Sequence, residues 1–357
     1  MKNTTYDEAQ AEAFTNRMVT MLNESALALM ISIGYQTGLL DTMRDLPAAT
    51  TVHIADEAKL NERYVREWLG AMVTGKIVEY DPESQQYWLP MEHADSLTRA
   101  VGGNNMAAVM PFLPVLATVE KEIIYCFQHG GGVPYQAFPH FHHVMADSNK
   151  AGQDRSLISE RLPLASGLIE SLQAGIKVAD IGCGQGHMTN LMAQAFPRSQ
   201  FVGYDFVEDN ITDGENEARQ MGLSNIQFVA KDITNLSSFA EYELITAFDV
   251  IHDQAQPDEV LNQVFNALKP NGVLFMMDIA ASSHLQENLD HFLAPFLYTV
   301  SCMHCMTVSL AQDGAGLGTM WGEQKAVEML TDAGFTNIDI KQRDTDPLNN
   351  YYIAYKE

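Results

Sequence analysis

Apolar residues recur three or four positions apart over the first part of the chain. This spacing predicts helix from residue 8 to about residue 45, with one broad apolar face. The face is formed by Met18, Met21, Leu22, Ala26, Leu29 and Ile33. A face of this width has to pack against another apolar surface, either within the chain or on a second copy of it.

The next elements follow the order helix, helix, hairpin. They are Val52–Ala58, Glu62–Met72, Ile77–Tyr80 and Gln86–Leu89, with a turn at residues 81–84 between the last two. Asn61 stands where it can cap the second helix, and Gly75 stands where that helix should end. This order is typical of a winged helix, so we predict a winged-helix domain over residues 1–100.

Beyond Gly175 the pattern changes to alternating strands and helices. The predicted strands are Lys177–Asp180, Gln200–Asp205, Ile226–Val229, Leu244–Phe248 and Val273–Met277. A helix with one apolar face lies between the last two and is stopped by Lys269–Gly272. Two further strands, Ile338–Arg343 and Tyr351–Lys356, should form an antiparallel pair. Repeated strand–helix units predict a parallel sheet with helices on both faces, and hence an α/β domain over residues 166–357.

Residues 101–165 connect these two predicted domains. The segment is mostly helical in pattern and is interrupted by the glycine-rich run Gly130–Pro134. We predict that it forms a helical linker or cap that contributes to the active site.

The first strand of the α/β domain leads directly into a glycine-rich loop. Asp180 is followed by Gly182, Gly184 and Gly186, and a helix opens immediately afterwards. Glycines allow a sharp turn and a close approach of the backbone to a ligand. A dinucleotide fingerprint would need glycine at position 187, where the chain has His187, and the Gly-Lys ending of a phosphate-binding loop is absent.

Two carboxylates lie at the ends of the next two predicted strands after this loop. Asp205 ends the second strand about 20 residues on, where a carboxylate can accept hydrogen bonds from both hydroxyls of a ribose. Asp232 follows the third strand. The three features together favour a cofactor site over an ordinary strand–turn–helix, an interpretation that also depends on fold-level resemblance.

The fourth strand runs out into His252, Asp253 and Gln254. The carboxyl ends of strands near a change in strand order are where parallel sheets hold their chemistry. A histidine can take a proton at neutral pH, because its unperturbed pKa is near 6.5. His252 is therefore a candidate general base, and the alternative is a helix-capping histidine without a chemical role.

The loop D-x-G-x-G-x-G resembles motif I of class I S-adenosylmethionine-dependent methyltransferases. The resemblance implies a Rossmann-like seven-stranded domain, S-adenosylmethionine as cofactor and S-adenosylhomocysteine as product. It also implies that Asp232 lies near the adenine. Tyr135, in the glycine-rich segment, is predicted to cover the sulfonium, where a cation–π attraction is physically reasonable, and an ordinary surface-loop tyrosine is the alternative. The cofactor-binding residues that it implies are Asp180, Gly182, Cys183, Gly184, Gly186, Asp205, Phe206, Asp232, Ile233, Phe248 and Tyr135.

The segment Ile251–Gln254 is similar to the H-D-W segment of small-molecule O-methyltransferases. In that family the histidine is the general base and a winged-helix dimerisation domain precedes the catalytic one, so the resemblance implies catalytic roles for His252 and Asp253 and a homodimer. Gln254 stands where the family usually has tryptophan, which leaves substrate packing open. Winged-helix methyltransferases of bacteria and invertebrates are similar over nearly the whole chain, notably at Glu62–Leu69, His304–Met306 and Gly316–Gly322.

The irregular segment over residues 285–321 combines aromatic side chains with a few polar groups, as acceptor pockets do. We predict that the substrate pocket is lined by Phe138, Phe296, Tyr298, His304, Met306 and Trp321. Packing in an ordinary core would explain the same apolar residues, and this alternative stays open.

Cys302, His304 and Cys305 lie close together in the sequence and raise the question of a metal. A structural zinc site needs four ligands, and no second C-x-x-C pair follows. The alternative is a site completed by distant residues such as His140, His142 or His143. We predict no metal.

The charge of the chain argues against a nucleic-acid partner. It carries 21 Lys+Arg against 46 Asp+Glu, a formal net charge of −25, and residues 1–100 alone carry 8 basic against 15 acidic residues. Affinity for nucleic acids comes from basic side chains that neutralise phosphates. Four irregularly spaced cysteines, the absence of an apolar leader and of an 18-residue apolar run predict a cytoplasmic protein that does not enter a membrane.

The leading hypothesis is therefore methyl transfer from S-adenosylmethionine to a hydroxyl of a small molecule. A thiol or thioether acceptor is the second enzymatic reading, since it would need no base. A cofactor-sensing winged-helix transcriptional regulator is the third.

Overall fold

The computed structural model describes residues 6–100, 105–139, 141, 144–145 and 156–357. The chain folds into two compact units, Met1–Val115 with His143–Gly152, and Leu116–His142 with Gln153–Glu357. The helix α6 (Phe112–Ala117) runs across the boundary along the chain. The predicted division at residues 100 and 165 stays a prediction.

The first unit contains the predicted winged helix. Its elements are α1 (Glu8–Gln36), α2 (Leu39–Asp45), α3 (Thr51–Ala58), α4 (Glu62–Thr74), β1 (Glu79–Asp81), β2 (Gln86–Trp88) and α5 (Met91–Leu97). Asn61 caps α4 by accepting from the backbone N–H of Arg63 at 3.0 Å, and Gly75 ends the helix as predicted. The first strand begins at Glu79 rather than at Ile77, because the N–H of Ile77 bonds back to the Met72 carbonyl at 2.8 Å.

The predicted apolar face of α1 is exposed rather than buried in this unit. The buried residues of the helix lie near its end and include Ile31 and Tyr35. Among the exposed residues, Leu22 is 71% exposed. Within the described part of the chain, α1 is also the one helix long and apolar enough to cross a membrane, with a mean hydropathy of 1.3. Core helices and signal sequences pass the same test, so this property alone assigns no location.

The second unit is built on a seven-stranded sheet. Its strands are β3 (Lys177–Ile181), β4 (Gln200–Asp205), β5 (Ile226–Ala230), β6 (Tyr242–Phe248), β7 (Leu268–Ile279), β8 (Asn337–Arg343) and β9 (Asp346–Tyr355). The order across the sheet is β5-β4-β3-β6-β7-β9-β8. The first five strands are parallel, and β9 runs antiparallel to both β7 and β8. The predicted α/β architecture is thus confirmed.

The helices of this unit cover both faces of the sheet. They are α7 (Glu120–His129), α8 (Leu168–Ala174), α9 (His187–Ala195), α10 (Glu208–Gln220), α11 (Pro257–Ala267), α12 (Ala294–Val300), α13 (Met306–Leu310) and α14 (Gly322–Asp332). Neighbouring strand residues serve opposite faces: Ala179 packs in a cluster with Leu261 of α11, and Val178 packs in a cluster with Met192 of α9. Because both faces are buried, the strands consist of nearly continuous apolar runs.

The strand β7 is longer than predicted. Leu268 pairs with Tyr242 of β6. The segment Lys269–Gly272, which was predicted only to end a helix, therefore lies within an irregular strand. The chain end holds it there, since the N–H of Asn271 bonds to the Lys356 carbonyl at 2.7 Å and the N–H of Lys356 bonds to the Gly272 carbonyl at 3.0 Å. The sequence shows the helix stop, but not this pairing between distant segments.

Trp68 provides a test of the packing in the first unit. Its indole N–H donates to the Met30 carbonyl at 2.8 Å, and the side chain is buried. We expect Trp68→Phe to lower the free energy of unfolding by about 1–3 kcal/mol, because the hydrogen bond from the buried indole to the Met30 carbonyl is lost. Chemical denaturation would measure the change. Tyr64→Phe on the same helix is the control, since that side chain is 79% exposed and should leave stability unchanged.

Candidate active site

The glycine-rich loop lies between β3 and α9, at the point where the strand order reverses. Gly182, Gly184 and Gly186 all adopt left-handed backbone conformations, with φ of 61°, 54° and 73°. A Cβ added to Gly184 would meet no atom within 4 Å. The loop therefore presents an open backbone surface at the carboxyl edge of the sheet, which is where parallel sheets bind ligands.

Asp205 ties the end of β4 to this loop. One oxygen of its buried carboxylate accepts from the N–H of Gly184 at 3.0 Å. The other accepts from the N–H of Val207 at 2.9 Å and from the side-chain amide of Asn210 at 3.2 Å. These bonds fix a carboxylate beside the open loop, as the sequence predicts.

Asp180 is placed differently. Its carboxylate is buried and accepts from the hydroxyls of Thr189 at 2.5 Å and Thr246 at 2.6 Å. Burial raises the pKa of this carboxyl to about 6. Since both oxygens are engaged within the domain, we infer that Asp180 supports the loop from its buried side.

The remaining predicted cofactor residues lie at the ends of neighbouring strands. Asp232 is exposed, and it caps a short turn by accepting from the N–H of Thr234 at 2.9 Å. Ile233 is buried, Phe248 is half-buried and Phe206 is 55% exposed. Cys183 lies in the loop itself, and burial raises the pKa of its thiol well above the usual value.

His252 lies in a short turn directly after β6, and it is buried. Its Nδ1 bonds to Oδ1 of Asp278 at 2.8 Å. Asp278, near the end of β7, is fully buried, and the same oxygen accepts from the N–H of Ile279 at 2.8 Å. The carboxylate fixes the orientation of the ring, so Nε2 is the nitrogen left for chemistry.

The charges around His252 determine its protonation. Burial lowers the pKa of His252, but the Asp278 carboxylate and Cys305 outweigh that effect and hold the pKa well above its usual value. Burial raises the pKa of Asp253 to about 6. Burial and the neighbouring Asp278 also raise the pKa of Asp249 to about 7.

Asp249 is half-buried and has a strained backbone. It follows β6 with a φ of 56°, and its N–H donates to the Met277 carbonyl at 3.0 Å. Among the residues that the structure describes, its buried Oδ1 has no hydrogen-bond partner. Strain of this kind is often found at functional sites.

A strap formed by residues 130–139 and 141 brings aromatic side chains to His304. The ring of Phe141 stacks on His304 with centroids 3.5 Å apart, and Phe138 and Tyr135 meet the same ring at 4.7 Å and 5.2 Å. The strap is anchored by the N–H of Val133, which donates to the Thr307 hydroxyl at 2.8 Å. The structure thus brings Tyr135, predicted for the cofactor, together with Phe138 and His304, predicted for the substrate pocket.

Tyr135 is also close to the proposed cofactor residues. Its ring contacts Phe206 edge to face, with centroids 5.8 Å apart. Burial, together with the carboxylates of Asp253 and Asp205, raises the pKa of its hydroxyl well above the usual value.

Other predicted pocket residues have different surroundings. Trp321 is buried in the main core of the domain, and Phe296 packs on a separate small cluster that includes Leu297. Tyr298 lines a surface groove of about 360 Å³ with residues that include Phe127. Met306 is half-buried at the start of α13.

The cysteines carry no metal cluster in the part of the chain that the structure describes. All four are free thiols, and no group of three or more metal-ligating side chains occurs among the described residues. His140, His142 and His143, the alternative ligands, lie outside the described residues.

Three residues of this region are absent from the sequence-based prediction. Asp278 comes directly after the predicted apolar strand Val273–Met277. Asp205 was identified by its place at the end of such a strand, so the same criterion would also have identified Asp278. Phe141 stands in the glycine-rich segment but carries no pattern. Arg161, a buried cation whose guanidinium lies 3.8 Å from Asp346, depends on contacts between segments far apart in the chain.

Two family models match the chain. Residues 25–99 match a model described as Rv2258c-like winged HTH domain, and residues 172–334 match a model described as methyltransferase domain. The chain joins a winged helix-turn-helix domain to a methyltransferase domain. Both domains were predicted from the sequence, and so was the S-adenosylmethionine class of the second.

Curated relatives match through the methyltransferase part. A malonyl-[acyl-carrier protein] O-methyltransferase of Bacillus cereus is 24% identical over 156 residues, which are 44% of this chain and 52% of that protein. A tRNA (guanine-N(7)-)-methyltransferase of Porphyromonas gingivalis is 30% identical over 125 residues, 34% of this chain and 48% of that protein. The chain thus spans about half the length of these relatives.

Solved structures match over nearly the whole chain. The mitomycin 7-O-methyltransferase MmcR has a TM-score of 0.71 at 14% identity, covering 98% of this chain and 100% of that one. Human N-acetylserotonin methyltransferase, solved with S-adenosylmethionine, has a TM-score of 0.68 at 15% identity and covers 99% of both chains. At this identity the likeness shows the fold.

The pair of His252 and Asp278 predicts a measurable titration. Because the folded-state pKa of His252 is raised, the pair stabilises the fold fully below the unfolded value near pH 6.5 and loses this contribution as pH rises through the folded-state pKa. Asp278→Asn should lower the pKa of His252, as followed by NMR with the signal assigned from His252→Gln. Asp258→Asn, an exposed carboxylate at the start of α11, is the matched control. An unchanged titration in Asp278→Asn would contradict the pairing.

Proposed function

We propose that the protein transfers a methyl group from S-adenosylmethionine to a hydroxyl of a small molecule, with His252 as general base. The observation that carries the proposal is the buried 2.8 Å bond between His252 and Asp278, next to a motif I loop. A base held in this way has a use where an acceptor must lose a proton, as a hydroxyl must.

The loop residues fit the cofactor. The open backbone at Gly184 can accept a ligand against it, and Asp205 holds a carboxylate next to that surface. Bound S-adenosylmethionine would supply an activated methyl group, so the protein has only to position the acceptor and accept its proton. Asp232, exposed at the end of β5, is the proposed partner of the adenine.

The proton transfer follows from the geometry of His252. An acceptor hydroxyl would donate a hydrogen bond to Nε2 and pass its proton to this nitrogen, while bound S-adenosylmethionine would supply the methyl group and leave as S-adenosylhomocysteine. The imidazolium that forms is stabilised by Asp278 on Nδ1, which also preserves the ring orientation. Asp253, adjacent in the same turn, is proposed to support the site.

The aromatic cluster supports a small-molecule acceptor. Tyr135, Phe138 and Phe141 enclose His304, and flat apolar walls with a few polar groups are typical of small-molecule sites. Phe296, Tyr298, Met306 and Trp321 remain proposed contributors to the pocket, although their positions favour packing roles.

We further infer a cytoplasmic homodimer without a nucleic-acid partner. The exposed apolar face of α1 would be covered by a second copy of the chain. In α4, the helix that would read DNA, Arg63 and Arg66 are each paired with an acid one turn away, Glu67 and Glu62. These arginines are therefore already neutralised. Salt-dependent DNA binding without turnover would instead favour the regulator hypothesis.

A matched pair of glycine variants tests the cofactor site. Gly184→Ala and Gly167→Ala each place alanine at a positive φ, 54° and 75°, with open space around the new methyl group. Each should cost about 1 kcal/mol or more in stability. Only Gly184→Ala should also weaken S-adenosylhomocysteine binding, by roughly tenfold, or about 1.4 kcal/mol, in isothermal titration calorimetry. Equal affinities of the two variants for S-adenosylhomocysteine would contradict the assignment of the glycine-rich loop to the cofactor site.

Substitution of the base tests the mechanism. His252→Gln should lower kcat roughly 10²–10⁴-fold, with S-adenosylhomocysteine affinity nearly unchanged. The assay follows labelled methyl transfer to a panel of small hydroxyl and thiol compounds, and the exposed His284→Gln is the control. The wild-type kcat/KM should rise with pH through the raised pKa of His252, above pH 6.5. Unchanged turnover and a flat pH profile would favour a thiol or thioether acceptor.

A further inference from the structure

Arg161 is a buried cation whose guanidinium is incompletely hydrogen-bonded within the described residues. It ends a π-helical turn, Leu157–Arg161, and only 9% of its surface is exposed. Its Nη1 donates to the Sδ of Met277 at 3.6 Å, and a thioether sulfur is a weak acceptor. Its buried Nε has no hydrogen-bond partner in this part of the chain. A guanidinium buried in this way favours a ligand with oxygen acceptors, because burial of a charge without such partners is costly in free energy.

The carboxylate that pairs with Arg161 does not supply those acceptors. Oδ2 of Asp346 lies 3.8 Å from Nη2 of Arg161, which is beyond hydrogen-bonding distance. The oxygens of Asp346 are already bonded to their neighbours, since the side-chain amide of Asn349 donates to them at 3.0 Å and 3.2 Å. The Tyr351 hydroxyl also donates to Oδ2. This ion pair therefore balances part of the charge of Arg161 but leaves its Nε available.

Asp249 meets the same methionine as Arg161. Its N–H donates to the Met277 carbonyl at 3.0 Å, while the Met277 sulfur accepts from Arg161. The buried Oδ1 of Asp249 has no partner in the part of the chain that the structure describes. Burial and Asp278 raise the pKa of Asp249, and the Arg161 guanidinium acts in the opposite direction, in agreement with this placement. An unsatisfied carboxylate oxygen and an unsatisfied guanidinium nitrogen thus belong to two residues that contact one methionine.

These two residues lie beside both the glycine-rich loop and the proposed base. Val250, which follows Asp249, packs on the loop, because a Cβ added to Gly182 would lie 2.6 Å from its Cγ1. On the neighbouring strand, the residue after the shared methionine is Asp278, which bonds to His252. A ligand group held at this position would therefore belong to the reaction site.

The two charges suit an α-amino carboxylate. A guanidinium binds a carboxylate through two parallel hydrogen bonds, and a carboxylate accepts from an ammonium group. A simple anion would be repelled by Asp249 and Asp346, and a simple cation would be repelled by Arg161. A group that carries both charges within a few atoms can satisfy both sides.

We propose that Arg161 and Asp249 form a subsite for an α-amino carboxylate, with the carboxylate on Arg161 and the ammonium group on Asp249. Two ligands can carry this group: S-adenosylmethionine in its methionine part, or an amino acid that serves as the methyl acceptor. The inference rests on the proposed function for the identity of the ligand, and the experiment separates the two sources.

Two thioether nucleosides test the first source by isothermal titration calorimetry. S-adenosylhomocysteine carries the α-amino carboxylate, and methylthioadenosine has the same nucleoside and a thioether without it. If the cofactor fills the subsite, Arg161→Met should weaken S-adenosylhomocysteine binding about tenfold or more and leave methylthioadenosine binding unchanged. Arg198→Met replaces an exposed arginine just before β4 and is the matched control, which should change neither affinity.

Free amino acids test the second source on protein saturated with S-adenosylhomocysteine. The probes are L-serine, L-homoserine, L-tyrosine and L-homocysteine, which offer hydroxyl and thiol acceptors. If an amino acid fills the subsite, at least one of them binds to the wild type, and Arg161→Met weakens that binding about tenfold or more without changing either nucleoside affinity. The methyl ester of the same amino acid, which lacks the carboxylate charge, should bind weakly to both proteins.

A second variant covers the case in which Arg161→Met does not fold. Asp249→Asn removes the charge and keeps the shape of the side chain, and asparagine tolerates the left-handed backbone at this position. It should weaken the same ligand as Arg161→Met and leave methylthioadenosine unchanged. Asp258→Asn, an exposed carboxylate, is its control.

The outcomes separate this proposal from the proposed function. Unchanged affinities for S-adenosylhomocysteine and for all four amino acids in both variants would overturn the subsite, and so would an equal loss for both nucleosides. A wild-type protein that binds neither nucleoside contradicts the proposed function, whereas amino-acid binding that depends on Arg161 would still support the subsite. A protein that binds none of these ligands would overturn both.

Discussion

The reversal of strand order at β3 determines where this molecule can hold a ligand. The strand β4 lies on one side of β3 and β6 on the other, so the connections leave on opposite faces and open a crevice at the carboxyl edge. The glycine loop, Asp205 and the turn of His252 all reach this edge because each directly follows one of these three strands. Asp278 reaches it from β7.

A second constraint is the concentration of acids in a buried place. Asp278 is fully buried against the imidazole of His252, and the half-buried Asp249 and Asp253 interact electrostatically with the same imidazole. Burying ionised carboxylates together is costly in free energy. The structure lowers this cost by raising the pKa values of Asp249 and Asp253, so that protons offset part of the charge near neutral pH. The imidazolium form of His252 contributes in the same direction. Changing any member of the group should therefore alter the protonation of the others.

Much of the fold follows from the sequence because its signals are local. The strand before the glycine loop, the cap at Asn61 and the end of α4 at Gly75 each depend on neighbouring residues. The cofactor loop and Asp205 are predictable for the same reason, since strand, loop and acid follow in order along the chain. His252 is recognisable from its position after a strand.

The rest depends on contacts between segments far apart in the chain. The role of Asp278 depends on the register between β6 and β7, which no local pattern shows. The exposed face of α1 illustrates another limit of the sequence. Periodicity predicts that the helix has an apolar face, but it does not show whether residues of the same chain cover that face. Residue type alone does not distinguish a pocket from a core: Trp321 packs in the main core of the domain, and Tyr298 lines a surface groove.

The strap that carries Tyr135 has a consequence for the timing of events in the site. Val133 is anchored on Thr307, two residues beyond Cys305, and Phe141 stacks on His304, the residue next to it. Ligand exchange that lifts the strap would break its contacts with Thr307 and His304 at once. Admission of small molecules and the packing around His304 would then change in one step. In Gly132→Ala the new methyl group would collide with the Thr307 carbonyl and disturb both contacts together.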